Sequence, residues 1–277
     1  MYFSISFIQS KRNLMDIEEY SPVSTLKIKE TLLTKSKYPF IDVHGHPFPT
    51  VISDLTQLVS EMDSLNMAFM INLSGFRGLY LKKSLENVKK NAPTRFGLFL
   101  NLDFEKIDEK DFESNTLKII NDSYNQGVMG LKIYKSLGLT DKDSYGNRIK
   151  INDPRLKPIW ELCGKLKIPI LIHSGDPEPF WSDKDKYNER WLELRQKPGR
   201  YMGDSNKHPS FKEVISEQHH IFENNPETIF INAHLGWMGN DLDALSKHLD
   251  KYPNVMTEIG AVLAELGRQP KSTLKNT

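Results

Sequence analysis

From residue 38 onward the apolar positions of the chain fall into two alternating rhythms. Short runs rich in β-branched and aromatic residues occupy 40–46, 67–73, 95–102, 128–134, 169–174, 228–234 and 255–260. Between them, apolar residues recur at helical spacing over 54–65, 79–91, 111–126, 154–167, 211–224 and 241–251. Strand runs that alternate with helical stretches predict βα units on a parallel sheet, an α/β architecture. Boundary residues agree: Asp153 and Pro154 form an N-cap pair, and Pro169 and Pro253 stand just beyond helix ends. There is no repeat beyond the βα period and no low-complexity segment.

Two connections break the even spacing. Residues 137–153 and 176–209 are too long for ordinary βα loops, and in a barrel such loops build the active-site face. The second holds Phe180, Trp181, Tyr187, Arg190, Trp191, Arg195, Arg200 and Tyr201. It reads equally as a lid that offers a cation to a carboxylate and as an insertion with its own small core. Residues 1–36 read as an N-terminal arm and 37–277 as one barrel-sized domain. The apolar residues 1–8 have no basic region before them and lead into Lys11-Arg12 without a cleavage site, so they read as a ragged extension.

Composition narrows the partners. The 37 Lys and Arg residues balance 36 Asp and Glu, which argues against nucleic acid or an anionic membrane and for a small-molecule substrate. No apolar run approaches the ~20 residues of a membrane span. Cys163, the single cysteine, forbids an internal disulfide and suits a reducing compartment. A soluble, cytoplasmic protein is expected.

The candidate chemistry centres on Asp42-Val43-His44-Gly45-His46. Residues two apart on a strand share a face, so His44 and His46 present two imidazoles together, with Asp42 on the same side. Neutral imidazole suits zinc and other transition metals, and a carboxylate can orient it from behind. Two further apolar runs end in histidine: Pro-Ile-Leu-Ile-His-Ser-Gly at His173 and Ile-Phe-Ile-Asn-Ala-His-Leu-Gly at His234. Burying a polar ring without a partner costs roughly 1–3 kcal/mol, so three strands ending in histidine call for a shared partner, and a metal ion supplies one. Lys132, in Gly-Leu-Lys-Ile-Tyr, reads as a carbon-dioxide-modified metal bridge, a contact to a substrate carboxylate or a structural ion pair. Glu258 reads as a base, a water-positioning group or the partner of Lys132. Arg77, in Ser-Gly-Phe-Arg-Gly, reads as an anion contact or a surface residue. The histidines at 208, 219, 220 and 248 read as ordinary loop or helix residues.

Taken in order, Ile-Asp-Val-His-Gly-His, Gly-Leu-Lys-Ile-Tyr-Lys, Leu-Ile-His-Ser-Gly-Asp-Pro and Ile-Asn-Ala-His-Leu-Gly-Trp resemble the amidohydrolase superfamily. Within it they are similar to the branch that includes aminocarboxymuconate semialdehyde decarboxylase. The resemblance implies a TIM-type (β/α)8 barrel with one divalent metal ion, usually zinc, at the C-terminal ends of its strands. It also implies that His44, His46 and His173 are ligands and that His234 orients or deprotonates the metal-bound water. Lys132 matches the place where binuclear members carry a carboxylated lysine. One departure stands out: members take an aspartate ligand from the eighth strand, and residues 261–277 have no strand character. An incomplete barrel of seven βα units is therefore expected, its open edges covered by the N-terminal arm or by a second subunit in a homo-oligomer, or else the chain is part of a longer protein.

Three functions follow. The first is a metal-dependent hydrolase of an ester, lactone or amide, with His234 and Glu258 catalytic and Lys132 and Arg77 binding substrate. The second is a metal-dependent non-oxidative decarboxylase on the same scaffold, with a carboxylate substrate held by Lys132 or the arginine-rich insertion. The third is an inactive barrel or fragment.

Overall fold

The computed structural model describes residues 15–17, 19–27, 32–47, 54–270 and 273; the apolar residues 1–8 lie outside them. It divides into two compact units, Met1–Thr34 and Lys35–Thr277. Among the described residues the first unit contains one turn, where the Glu19 and Tyr20 amides donate to the Asp16 and Ile17 carbonyls, and no helix or strand.

The second unit is built on seven strands: β1 (Phe40–Gly45), β2 (Met67–Asn72), β3 (Phe96–Asn101), β4 (Gly130–Ile133), β5 (Ile170–Ile172), β6 (Phe230–Asn232) and β7 (Val255–Thr257). All are parallel and pair in chain order. Helices α1 (Thr56–Leu65), α2 (Gly78–Asn91), α3 (Phe112–Gln126), α4 (Lys157–Leu166), α6 (Phe211–Asn224) and α7 (Leu242–Lys251) separate them. Shorter α5 (Trp191–Gln196) lies in the second long connection, and α8 (Leu263–Gly267) follows β7. Start signals come from the sequence: Asp153, Ser210 and Asp241 each accept a backbone amide of the turn that they cap.

The sheet curls far enough that its two edges meet at one end. His44 on β1 and Glu258, just past β7, are 2.8 Å apart, although these strands share no ladder. The unit is an incomplete TIM barrel. Along the edges Ile41 and Met256 remain about 60% exposed.

Alternation along each strand separates two apolar layers. Phe99, Leu171, Ile71, Leu73 and Ala233 fill the inside of the curl, with Val43 packed against them. Leu98, Leu100, Ile170, Ile172 and Phe230 face outward to helix residues such as Trp160, Ile221 and Phe222. Each such buried side chain stabilises the fold by about 1.5–3 kcal/mol. Gly130 leaves the room that the Phe99 ring needs, since a Cβ there would lie 2.5 Å from it.

The two long connections differ from plain loops. In 137–153, Ile149 and Ile151 are buried, and Arg148 is clamped by Glu213, Glu217 and the Gly138 carbonyl at 2.5–2.9 Å. In 176–209, Phe180, Leu194 and Met202 are buried, so the insertion has a small core. Its arginines are engaged close by: Arg190 with Glu265 at 2.6 Å, Arg200 with Glu193, and Arg195 over the Trp191 ring.

Candidate metal centre

The centre lies at the C-terminal ends of the strands, where parallel packing brings together polar groups on or just past β1, β4, β5, β6 and β7. The β1 ladder shifts register between Asp42 and Gly45. Asp42 Oδ1 accepts the His44 amide at 2.8 Å, and this bulge interrupts the simple alternation. Val43 can thus pack on the inner layer while His44 turns toward Glu258 and Lys132.

His46 is held from the next strand. Its Nδ1 lies 2.8 Å from Ser74 Oγ, and its ring stacks near Tyr134, whose hydroxyl donates to the Leu73 carbonyl. The loop that carries Ser74 passes so close to β3 that a Cβ on Gly75 would sit 1.9 Å from the Phe99 carbonyl oxygen. Only glycine admits that approach.

His234 is aimed by backbone strain. Residues 234–237 all have left-handed φ, between 56° and 59°, a conformation that costs a non-glycine residue roughly 1–2 kcal/mol. The turn is held by the Leu235 amide on the Glu258 carbonyl at 2.9 Å, the His234 amide on Glu258 Oε1 at 2.6 Å, and Trp237 Nε1 on the Ser174 carbonyl at 2.9 Å. The Trp237 ring packs on both His173 and His234.

His44, His173 and His234 converge. One ring nitrogen from each lies within 4.8 Å of the others. Glu258 engages Nδ1 of His44, and the Gly260 carbonyl engages Nδ1 of His234 at 2.7 Å, which leaves Nε2 of His234, while Nε2 of His44 faces Lys132 Nζ at 3.5 Å. His173 Nε2 is buried and has no hydrogen-bond partner. A nitrogen donor without a partner, beside two others in reach, fits a metal ion of the imidazole-binding kind. The Glu258–His44 contact is the carboxylate–histidine support such ligands take. His46 sits at the rim of this triple, with its ring centroid 5.4 Å from that of His44.

Electrostatics suit ligand chemistry. Burial lowers the pKa of His46 to about 4, with help from His44 and Lys132. Burial also lowers His173 strongly, and lowers His234 against the opposing pull of the Gly260 carbonyl and Glu258. Burial alone would raise Glu258, but His44 and the His234 and Gly260 amides hold it below its ordinary value. Lys132 is almost fully buried, with Nζ 3.5 Å from His44 Nε2; desolvation pulls its pKa to about 7 against the attraction of Glu258.

The structure thus gathers His44, His46, His173, His234, Lys132 and Glu258 at one place. Arg77 is not among them: its half-exposed side chain pairs with Asp103 at 2.6 Å. Sequence reasoning passed over Ser74, Tyr134, Asp176 and Trp237. Asp176, buried and bound by Lys135 through both oxygens, and Trp237 stand inside motifs that carry the histidines. Ser74 has no sequence signal, since it acts only through its place across the β1–β2 boundary.

The profile of the amidohydrolase family matches residues 106–276. The chain belongs to the amidohydrolase family. No curated protein matches this sequence significantly. Solved structures with similar folds include an uncharacterised TIM-barrel protein from Bordetella bronchiseptica (TM-score 0.44, 11% identity, 74% of this chain and 59% of that one). Another is 2,6-dihydroxybenzoate decarboxylase complexed with 2,6-dihydroxybenzoate (TM-score 0.49, 14% identity, 86% and 84%). A third is dihydroorotase from Campylobacter jejuni (TM-score 0.45, 15% identity, 86% and 58%). The chain therefore spans less than two thirds of the first and third of these proteins. No helix among its described residues is long and apolar enough to cross a membrane.

Proposed function

We propose that this chain is a metal-dependent hydrolase that attacks a carbonyl carbon of a small molecule, an ester, lactone or amide. The observation that carries this reading is the convergence of His44, His173 and His234 within 4.8 Å around an unpartnered His173 Nε2. His44, His46 and His173 would hold one divalent ion, zinc being our choice, with His234 beside it as base; the alternative third ligand is His234 itself. When bound, the ion supplies Lewis-acid polarisation of a substrate oxygen and lowers the pKa of water in the site.

The chain's own groups do the rest. His234, neutral because burial disfavours its cation, takes a proton from the attacking water at Nε2. Glu258 Oε1, 3.4 Å from His234 Nδ1, balances the resulting imidazolium and keeps His44 oriented. The left-handed turn keeps the His234 ring from swinging away as it changes charge. A second reading, non-oxidative decarboxylation, is favoured by one observation: Lys132 brings a buried amino group to the same place, where it can hold a substrate carboxylate.

Elemental analysis of His46→Ala and His234→Ala variants tests the assignment. Loss of the ion in His46→Ala, and an ion retained without turnover in His234→Ala, is the expected result; the reverse pattern makes His234 the ligand. No bound ion in the unsubstituted chain after zinc incubation overturns the reading. Carbon dioxide release from aromatic or unsaturated acids, with no hydrolytic product from an ester and lactone panel, selects the decarboxylase.

A further inference from the structure

Ser74, two residues past β2 and 4% exposed, belongs to a hydrogen-bond chain whose direction is fixed by its far end. A carbonyl oxygen only accepts. The Tyr134 hydroxyl gives its proton to the Leu73 carbonyl at 2.9 Å, so toward any other group it is an acceptor. Burial pushes the Tyr134 pKa up, and a hydrogen bond from Ser74 opposes that push. The single Ser74 hydroxyl proton therefore goes to Tyr134 Oη. What Ser74 Oγ then offers to His46 Nδ1, 2.8 Å away, is a lone pair.

The backbone around Ser74 is fixed on both sides. Its amide donates to Asn72 Oδ1 at 2.8 Å, and Asn72 Nδ2 donates to the Pro47 carbonyl at 3.1 Å. Asn72 is fully buried and so ties the residue after His46 to the loop that carries Ser74. On the other side, Gly75 lies against the Phe99 carbonyl.

A neutral imidazole carries its proton on one nitrogen, and only the other can donate electrons to a metal ion. Histidine left to itself favours the proton on Nε2. We infer that Ser74 reverses that preference: it locks His46 in the Nδ1–H tautomer and keeps Nε2 free as a ligand. Ser74 is thus a positioning residue that acts through His46, as Glu258 does through His44. The use of the freed nitrogen rests on the reading of His46 as a metal ligand; the tautomer itself does not.

Long-range proton–nitrogen NMR spectra of the metal-free full chain at neutral pH read the tautomer directly. His46 should show a protonated Nδ1 and a bare Nε2. Ser74→Ala should move much of the population to the Nε2–H form and weaken zinc binding about 10–100-fold by chelator competition. Tyr134→Phe should shift the tautomer the same way, because Ser74 is then released to donate to Nδ1. An Nε2–H ring in the unsubstituted protein overturns the inference, as does an unchanged tautomer in a Ser74→Ala protein with native circular dichroism. Should Ser74→Ala disturb folding, Tyr134→Phe, at a side chain partly open to solvent, decides on the same readout. Zinc that fails to bind the unsubstituted chain overturns the ligand reading instead, and the spectra of the metal-free protein still decide the tautomer.

Discussion

Glu258→Gln replaces one oxygen by an amide NH2 in the side chain that joins the ends of the curled sheet. The native carboxylate, 8% exposed, accepts the His44 ring at 2.8 Å and the His234 amide at 2.6 Å through Oε1, and the Gly260 amide through Oε2. Glutamine keeps one acceptor oxygen. If that oxygen stays with His44 and His234, its NH2 group meets the Gly260 amide, donor against donor; the flipped amide faces two donors instead. A hydrogen bond to a charged group contributes about 1.5–3 kcal/mol, and a buried donor left unmatched costs about 1–3 kcal/mol, so we expect a loss of about 2–4 kcal/mol at pH 7. Metal affinity should fall by about 10–100-fold as His44 loses its orienting carboxylate.

Acid sensitivity should change in the same variant. The folded pKa of Glu258 lies below the ordinary 4.5, so its contribution is present above that pH and is lost as pH falls through the folded value. The variant should lack this part of the acid transition. Urea unfolding followed by circular dichroism gives the stability difference, and competition with a chromophoric chelator gives zinc affinity. Stability within about 0.5 kcal/mol of the parent, together with unchanged zinc affinity, would refute the argument.

Lys132→Met should be more stable than the parent at pH 7 by about 2–4 kcal/mol. The unfolded lysine binds a proton up to pH 10.5 whereas the folded one releases it near 7, so parent stability should rise between these values and the variant's should not; parallel pH profiles refute this. His173→Ala should remove the bound ion at the cost of no more than about 2 kcal/mol, because its Nε2 has no protein bond to lose; elemental analysis beside a urea melt checks both parts. Arg148→Ala leaves the buried Glu217 charge unpaired and should cost about 3–5 kcal/mol, with faster proteolysis in 137–153 as a second readout.

The alternation of seven apolar runs with six helical stretches is visible along the chain because each element needs one buried face, and period 2 or 3.6 records it directly. The observed strands start and stop within a few residues of those runs. The four strand-end histidines, Lys132 and Glu258 were legible for a related reason: a polar group closing an apolar strand has to find a partner.

Tertiary structure decided how these groups meet. That His234 shares the tight triple while His46 leans on Ser74 depends on a β1 bulge and a left-handed turn, and hydropathy encodes neither. The same holds for Glu258, whose two nearest imidazoles come from β1 and from the turn after β6, 214 and 24 residues away. Only the curl of the sheet brings such distant positions into contact. Arg77, with an equally suggestive sequence context, was drawn to Asp103 instead. For an exposed, flexible side chain the nearest carboxylate settles the matter, and that neighbour is known only once the loops are folded.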